Sequence, residues 1–148
     1  MKIMFVLEKN CLPDMTKSVL CVIDFSDSSK KALQWAVCKA CTMNTHLTIL
    51  HPFRLIPLKN GESVLSMKQK IEDDALRNFQ NLEKDFLIGK GITYDFKSEV
   101  GFVADRVGDH ARNHPINCMV IDKNMSLVNK ESFEALVENL HVPMVIVP

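Results

Sequence analysis

Val19-Leu20-Cys21-Val22-Ile23 is an unbroken apolar run that stops at Asp24, and Cys118-Met119-Val120-Ile121 stops in the same way at Asp122. A strand that is apolar at every residue must be covered on both faces, the condition met by a parallel sheet between two layers of helix. Leu47-Thr48-Ile49-Leu50-His51 gives another such strand, and Met144-Val145-Ile146-Val147 a last one. Pro52 removes a backbone donor and is expected to end the ladder of its strand.

Helical repeats fill the intervals. Ser26 offers an N-cap hydroxyl, and Leu33, Ala36, Val37, Ala40 and Cys41 recur at the spacing of one helix face, with Asn44 as the stop. Ile71, Ala75, Phe79, Leu82 and Phe86 form a greasy stripe in a charged background, ended by Gly89 and Gly91. Ile92, Tyr94 and Phe96 alternate with Thr93, Asp95 and Lys97, which predicts a strand with one wet face at a sheet edge. Val103, Val107 and Ala111 mark the inner face of a helix between Gly101 and Pro115. Phe133, Leu136, Val137 and Leu140 mark a short final one. The order β-α-β-α-β-α-β-α-β, with right-handed crossovers, predicts a doubly wound five-stranded parallel sheet with helices on both faces, Rossmann-like in class. Any ligand crevice then lies beyond the carboxyl ends of the strands.

The 148 residues, nearly half of them apolar, suffice for one domain. Residues 17–148 hold every element, and residues 1–16 read as an extension without one, with Met15 as an alternative start. Eighteen basic residues balance eighteen acidic ones, so no net field recruits nucleic acid or an anionic membrane. The apolar start is too short for a signal peptide or a span. Five cysteines, an odd number lying largely in apolar runs or on helix faces, read as reduced thiols of a cytoplasmic protein.

The segment Val22-Ile23-Asp24-Phe25-Ser26-Asp27-Ser28-Ser29-Lys30-Lys31-Ala32-Leu33 resembles the opening of universal stress proteins. The strand ending in His51, Gly101 before a helix, and Val142-Pro143-Met144-Val145-Ile146-Val147 at the close resemble other parts of that family. Together these matches run from Lys17 to Pro148. The resemblance implies the strand order 3-2-1-4-5, akin to the adenine-nucleotide alpha-hydrolase arrangement. Members that bind ATP carry a loop of the form Gly, two residues, Gly, nine residues, Gly-Ser or Gly-Thr after the fourth strand. Here the matching positions are Asp122, Met125, Lys130 and Glu131, in a shortened segment. Glycines expose backbone N–H groups to a phosphate, whereas carboxylates repel it. The family's adenine contact just after the second strand falls on Pro52, which has no N–H to give. ATP is therefore disfavoured and no cofactor is expected.

At the strand ends, Asp24, Ser26, Asp122 and Lys123 are the candidate ligand-binding residues, for a small ligand or Mg²⁺. The simpler reading has Asp24 capping the first helix and Asp122 facing solvent. No complete set of acid, base and nucleophile supports catalysis, and metal-assisted hydrolysis at these four residues is the enzymatic alternative. A divergent pocket that still holds ATP or AMP through Asp24 is the other. Cys38 and Cys41 have redox spacing but lie near a helix end and read as core. His110 and His114 stand one turn apart with no third ligand nearby and read as exposed, so no metal site is expected. If β-order follows the family, the apolar edge Met144, Val145, Ile146 and Val147 predicts a homodimer through the C-terminal strand. An unidentified protein partner or small ligand completes the expected partners.

Overall fold

The computed structural model describes residues 14–56, 61, 63–122, 124, 134–136, 138 and 140–147. The elements are β1 (Asp14–Val22), α1 (Asp27–Met43), β2 (Thr45–Phe53), α2 (Val64–Leu82), β3 (Tyr94–Val100), α3 (Val103–Asn113), β4 (Ile116–Asp122) and β5 (Met144–Val147). All four strand pairings are parallel and the sheet order is β3-β2-β1-β4-β5, as expected.

The period of two along each strand sorts the core into two layers. Val19, Cys21, Ile23, Ile49 and Val120 pack with Leu33 and Ala36 of α1 and Phe79 and Leu82 of α2. Leu20, Val22, Leu50, Met119 and Ile121 face the other way, onto Val103 and Val107 of α3 and onto Leu136. Burial of each Val, Leu, Ile, Met or Phe side chain among them contributes about 1.5–3 kcal/mol. Every residue of β3 is half-buried, as suits an edge strand. Leu136 belongs to the expected last helix and accepts the Leu140 amide at 3.0 Å. Phe133 and Val137 lie outside the described residues.

Helix ends follow the sequence closely. The Ser26 side chain accepts the Ser29 amide at the start of α1, and Asn44 closes it in the left-handed conformation. After α2 a π-helical turn, Glu83–Leu87, leads to Gly89 and Gly91, both at positive φ. Among the described residues, no helix is long and apolar enough to cross a membrane.

Pro52 departs from expectation, because it lies inside β2 and pairs in register with Glu99 of β3. Parallel strands point the N–H and C=O of alternate residues to alternate sides. Leu50 points toward β1, where its carbonyl accepts the Ile23 amide, and Phe53 points toward β3, where its carbonyl accepts the Gly101 amide. Pro52 shares the direction of Leu50, and β1 has ended by that level. No ladder bond is lost, so the proline is tolerated.

Candidate functional site

β1 is the point where the winding reverses: the chain leaves it for β2 on one side and later returns to β4 on the other. The helices consequently depart onto opposite faces, and the carboxyl ends of β1, β2 and β4 come together at the place where folds of this class carry a ligand crevice. β1 and β4 run in register through Cys21 opposite Val120, so Asp24 and Asp122 emerge at the same end of neighbouring strands.

Asp24 does not cap α1. Its Oδ1 accepts the Ser26 amide at 3.0 Å and the Ser26 hydroxyl, and Ser26 Oγ in turn accepts the Ser29 amide at 3.2 Å. Asp24 thus braces the capping residue, and both sit half-buried at the helix start. Phe25 between them takes φ of 65°, a left-handed conformation that costs a side-chain-bearing residue about 1–2 kcal/mol. Its ring then lies against His51 with centroids 4.8 Å apart and edge-on to Phe96 at 6.0 Å.

His51 is the centre of this aromatic group. It stacks on Phe53 and Phe96, and its Nδ1 is 2.9 Å from Ser98 Oγ. Burial pushes its pKa down to about 4, a shift opposed by the nearby Asp24 carboxylate, so the imidazole is neutral near pH 7. Sequence reasoning marked His51 only as a strand end. Its functional neighbourhood depends on β3 and on the turn at Phe25, which no local pattern reveals.

Asp122 does not face solvent. Only 1% of it is exposed; Oδ1 accepts the Asn124 amide at 2.8 Å, and Oδ2 is buried without a hydrogen-bond partner among the described residues. Such a carboxylate is a costly group to keep, since its desolvation is repaid on one oxygen only. Lys123, Met125, Lys130 and Glu131 lie outside the described residues.

Cys38 and Cys41 are exposed rather than core. Both lie in the C-terminal half of α1, where Cys41 Sγ rests 3.7 Å from the Lys90 carbonyl. Burial and the neighbouring Cys38 raise the Cys41 pKa, so this thiol stays protonated near neutrality. Burial also raises the pKa of Cys21 and of Cys118. His110 is buried rather than exposed, because α3 turns it toward the sheet beside Val107. Among the described residues, no three His, Cys, Asp or Glu side chains are grouped to hold a metal ion.

The fold is shared with known structures. A universal stress protein family structure from Burkholderia pseudomallei aligns over 91% of this chain and 98% of its own, at TM-score 0.70 and 16% identity. The universal stress protein from Archaeoglobus fulgidus in complex with dAMP aligns over 90% and 98%, at TM-score 0.60 and 14% identity. An Arabidopsis thaliana family protein with AMP bound aligns over 88% and 90%, at TM-score 0.58 and 17% identity. No curated protein sequence matches. The pattern that defines the universal stress protein family, however, matches residues 15–148. With the sheet order and the Asp-Phe-Ser turn into α1, that match over nine-tenths of its length makes this chain a member of the universal stress protein family.

Proposed function

We propose that this chain is a cytosolic, non-enzymatic binding and regulatory module that works as a homodimer through β5 and does not use ATP. The observation that carries the reading is Asp122. Where nucleotide-binding relatives are expected to offer the first glycine of a phosphate loop, this chain places a buried carboxylate with one oxygen unpartnered. A polyphosphate brought to that strand end meets like charge in a poorly solvated place. Pro52 adds a second loss, since the side of β2 that borders the crevice has no N–H at the position expected to bind adenine. Function then lies in the surface of the pair and in its protein partner, or in a small ligand other than ATP.

A second reading is supported by Asp24. Held in place by Ser26, it stands at the strand end, and the Archaeoglobus fulgidus and Arabidopsis thaliana relatives are complexes with dAMP and AMP. A nucleoside monophosphate would ask less of the lost loop than ATP does. Calorimetric titration with ATP and with AMP, each with and without Mg²⁺, separates the readings. The first expects no binding heat for either nucleotide. AMP binding abolished by Asp24→Ala would establish the second, and tight ATP binding would overturn the first outright.

A further inference from the structure

At the opposite end of the sheet from the crevice, a cavity of about 250 Å³ opens between the amino ends of β1, β2 and β3 and the last turns of α3. It is smaller than the roughly 300–1,000 Å³ of a drug-sized ligand site. Its most unusual wall is His110, which is 7% exposed and whose Nε2 is buried with no hydrogen-bond partner. The His114 ring stacks on it with centroids 4.4 Å apart. A buried polar nitrogen left unsatisfied is a cost the fold carries, unless something else meets it.

The charges around that nitrogen set the class of occupant. Among the described residues, the lining holds two lysines, Lys17 and Lys97, against one carboxylate, Asp95. Oδ1 of Asp95 is already engaged by His46 Nε2 at 2.7 Å and by the Thr48 hydroxyl at 2.9 Å. A metal ion would face both lysines and find no grouped set of ligands among the described residues. The carbonyl end of α3 opposes an anion, an effect of about 0.3–1 kcal/mol confined to the last turn. Lys17 and Lys97 are the cations of the lining that stand against it.

We propose that this pocket binds a small oxyanion, a free phosphate or a small carboxylate, between Lys17 and Lys97 with Nε2 of His110 as a donor from its buried wall. His110 suits that task, because burial first, then His114 and Lys97, push its pKa down to about 4, against the pull of Asp95. The ring is neutral near pH 7, so it can donate Nε2–H without bringing a buried charge. The site is separate from the strand-end crevice and does not depend on what binds there.

The test is a titration of the intact protein, followed through the histidine side-chain nitrogen resonances, with inorganic phosphate in one arm and succinate in another. Sodium chloride at matched ionic strength is the control. A saturable shift at His110 with either oxyanion but not chloride, accompanied by a rise in the His110 titration midpoint, is expected. Saturation by phosphate alone assigns the phosphate class, and saturation by succinate assigns carboxylates. Lys97→Ala should weaken the response about tenfold, and Lys17→Ala serves in its place if that variant does not fold. No saturable His110 shift at millimolar oxyanion, or an undiminished response in both lysine variants, would overturn the proposal.

Discussion

Asp24 Oδ1 receives both the amide and the hydroxyl of Ser26, two residues on, while the Ser26 oxygen receives the Ser29 amide. One carboxylate therefore holds the cap of the helix that follows β1. Ser26→Ala removes the cap and one of the donors to Asp24 at once. The expected loss is about 1–2 kcal/mol, read as a fall in Tm of about 2–4 °C per kcal/mol. A variant as stable as the parent in thermal melts would mean that α1 starts without this brace.

Asp122 should resist stability rather than add to it. Asp122→Asn keeps the acceptor for the Asn124 amide and removes the charge from a site that is 1% exposed. The new amide still lacks a partner on its second atom, but a neutral orphan costs less than a charged one. Urea unfolding at pH 7 should show a gain of about 1 kcal/mol or more. A loss would mean that the carboxylate charge is stabilised in the native state.

His51 makes stability depend on pH in a defined direction. Its pKa is about 4 in the folded chain against an ordinary 6.5, so between these values the unfolded state binds the extra proton. The stabilisation is fully present above pH 6.5 and is lost as the pH falls toward 4, by at most about 3 kcal/mol. His51→Phe keeps a ring among Phe25, Phe53 and Phe96 and should remove this part of the slope. Denaturation curves at pH 7, 5.5 and 4 test it, and equal slopes in both proteins would assign the pH dependence elsewhere.

β5 ends the sheet, with Ile146 41% exposed and Met144 and Val145 half-buried. An apolar strand with an unpaired edge favours a twofold partner. Ile146→Lys should convert the proposed dimer to monomers in sedimentation at micromolar protein without a change in the circular dichroism of the fold. A monomeric parent protein would remove the dimer from the functional proposal.

Much of the fold was legible because its signals are local. Val19–Ile23 and Cys118–Ile121 are apolar at every residue, which only a doubly covered strand requires, and Ser26 and Asn44 are cap residues in cap positions. The strand order itself rested on resemblance. What the sequence concealed are properties that exist only after pairing. The cost of Pro52 depends on which side its missing N–H faces, and that is decided by where β1 ends. The burial of Asp122 depends on what surrounds the end of β4. His110 and His114 are spaced as any exposed helical pair would be, but α3 rotates one of them inward to meet residues from β2 and β3. The aromatic set at His51 likewise needs a residue at positive φ, Phe25, that carries no glycine to announce it.

Pro52 limits the manner in which another polypeptide could use the crevice. An extended segment that tried to continue the sheet beside β2, in the space β1 vacates, would need a main-chain donor at that level and find the proline ring instead. Strand addition beside β2 is disfavoured at that level. A partner that approached the strand ends beside β2 would meet side chains, Asp24 and the rings around His51, and so be selected for chemistry rather than for backbone shape.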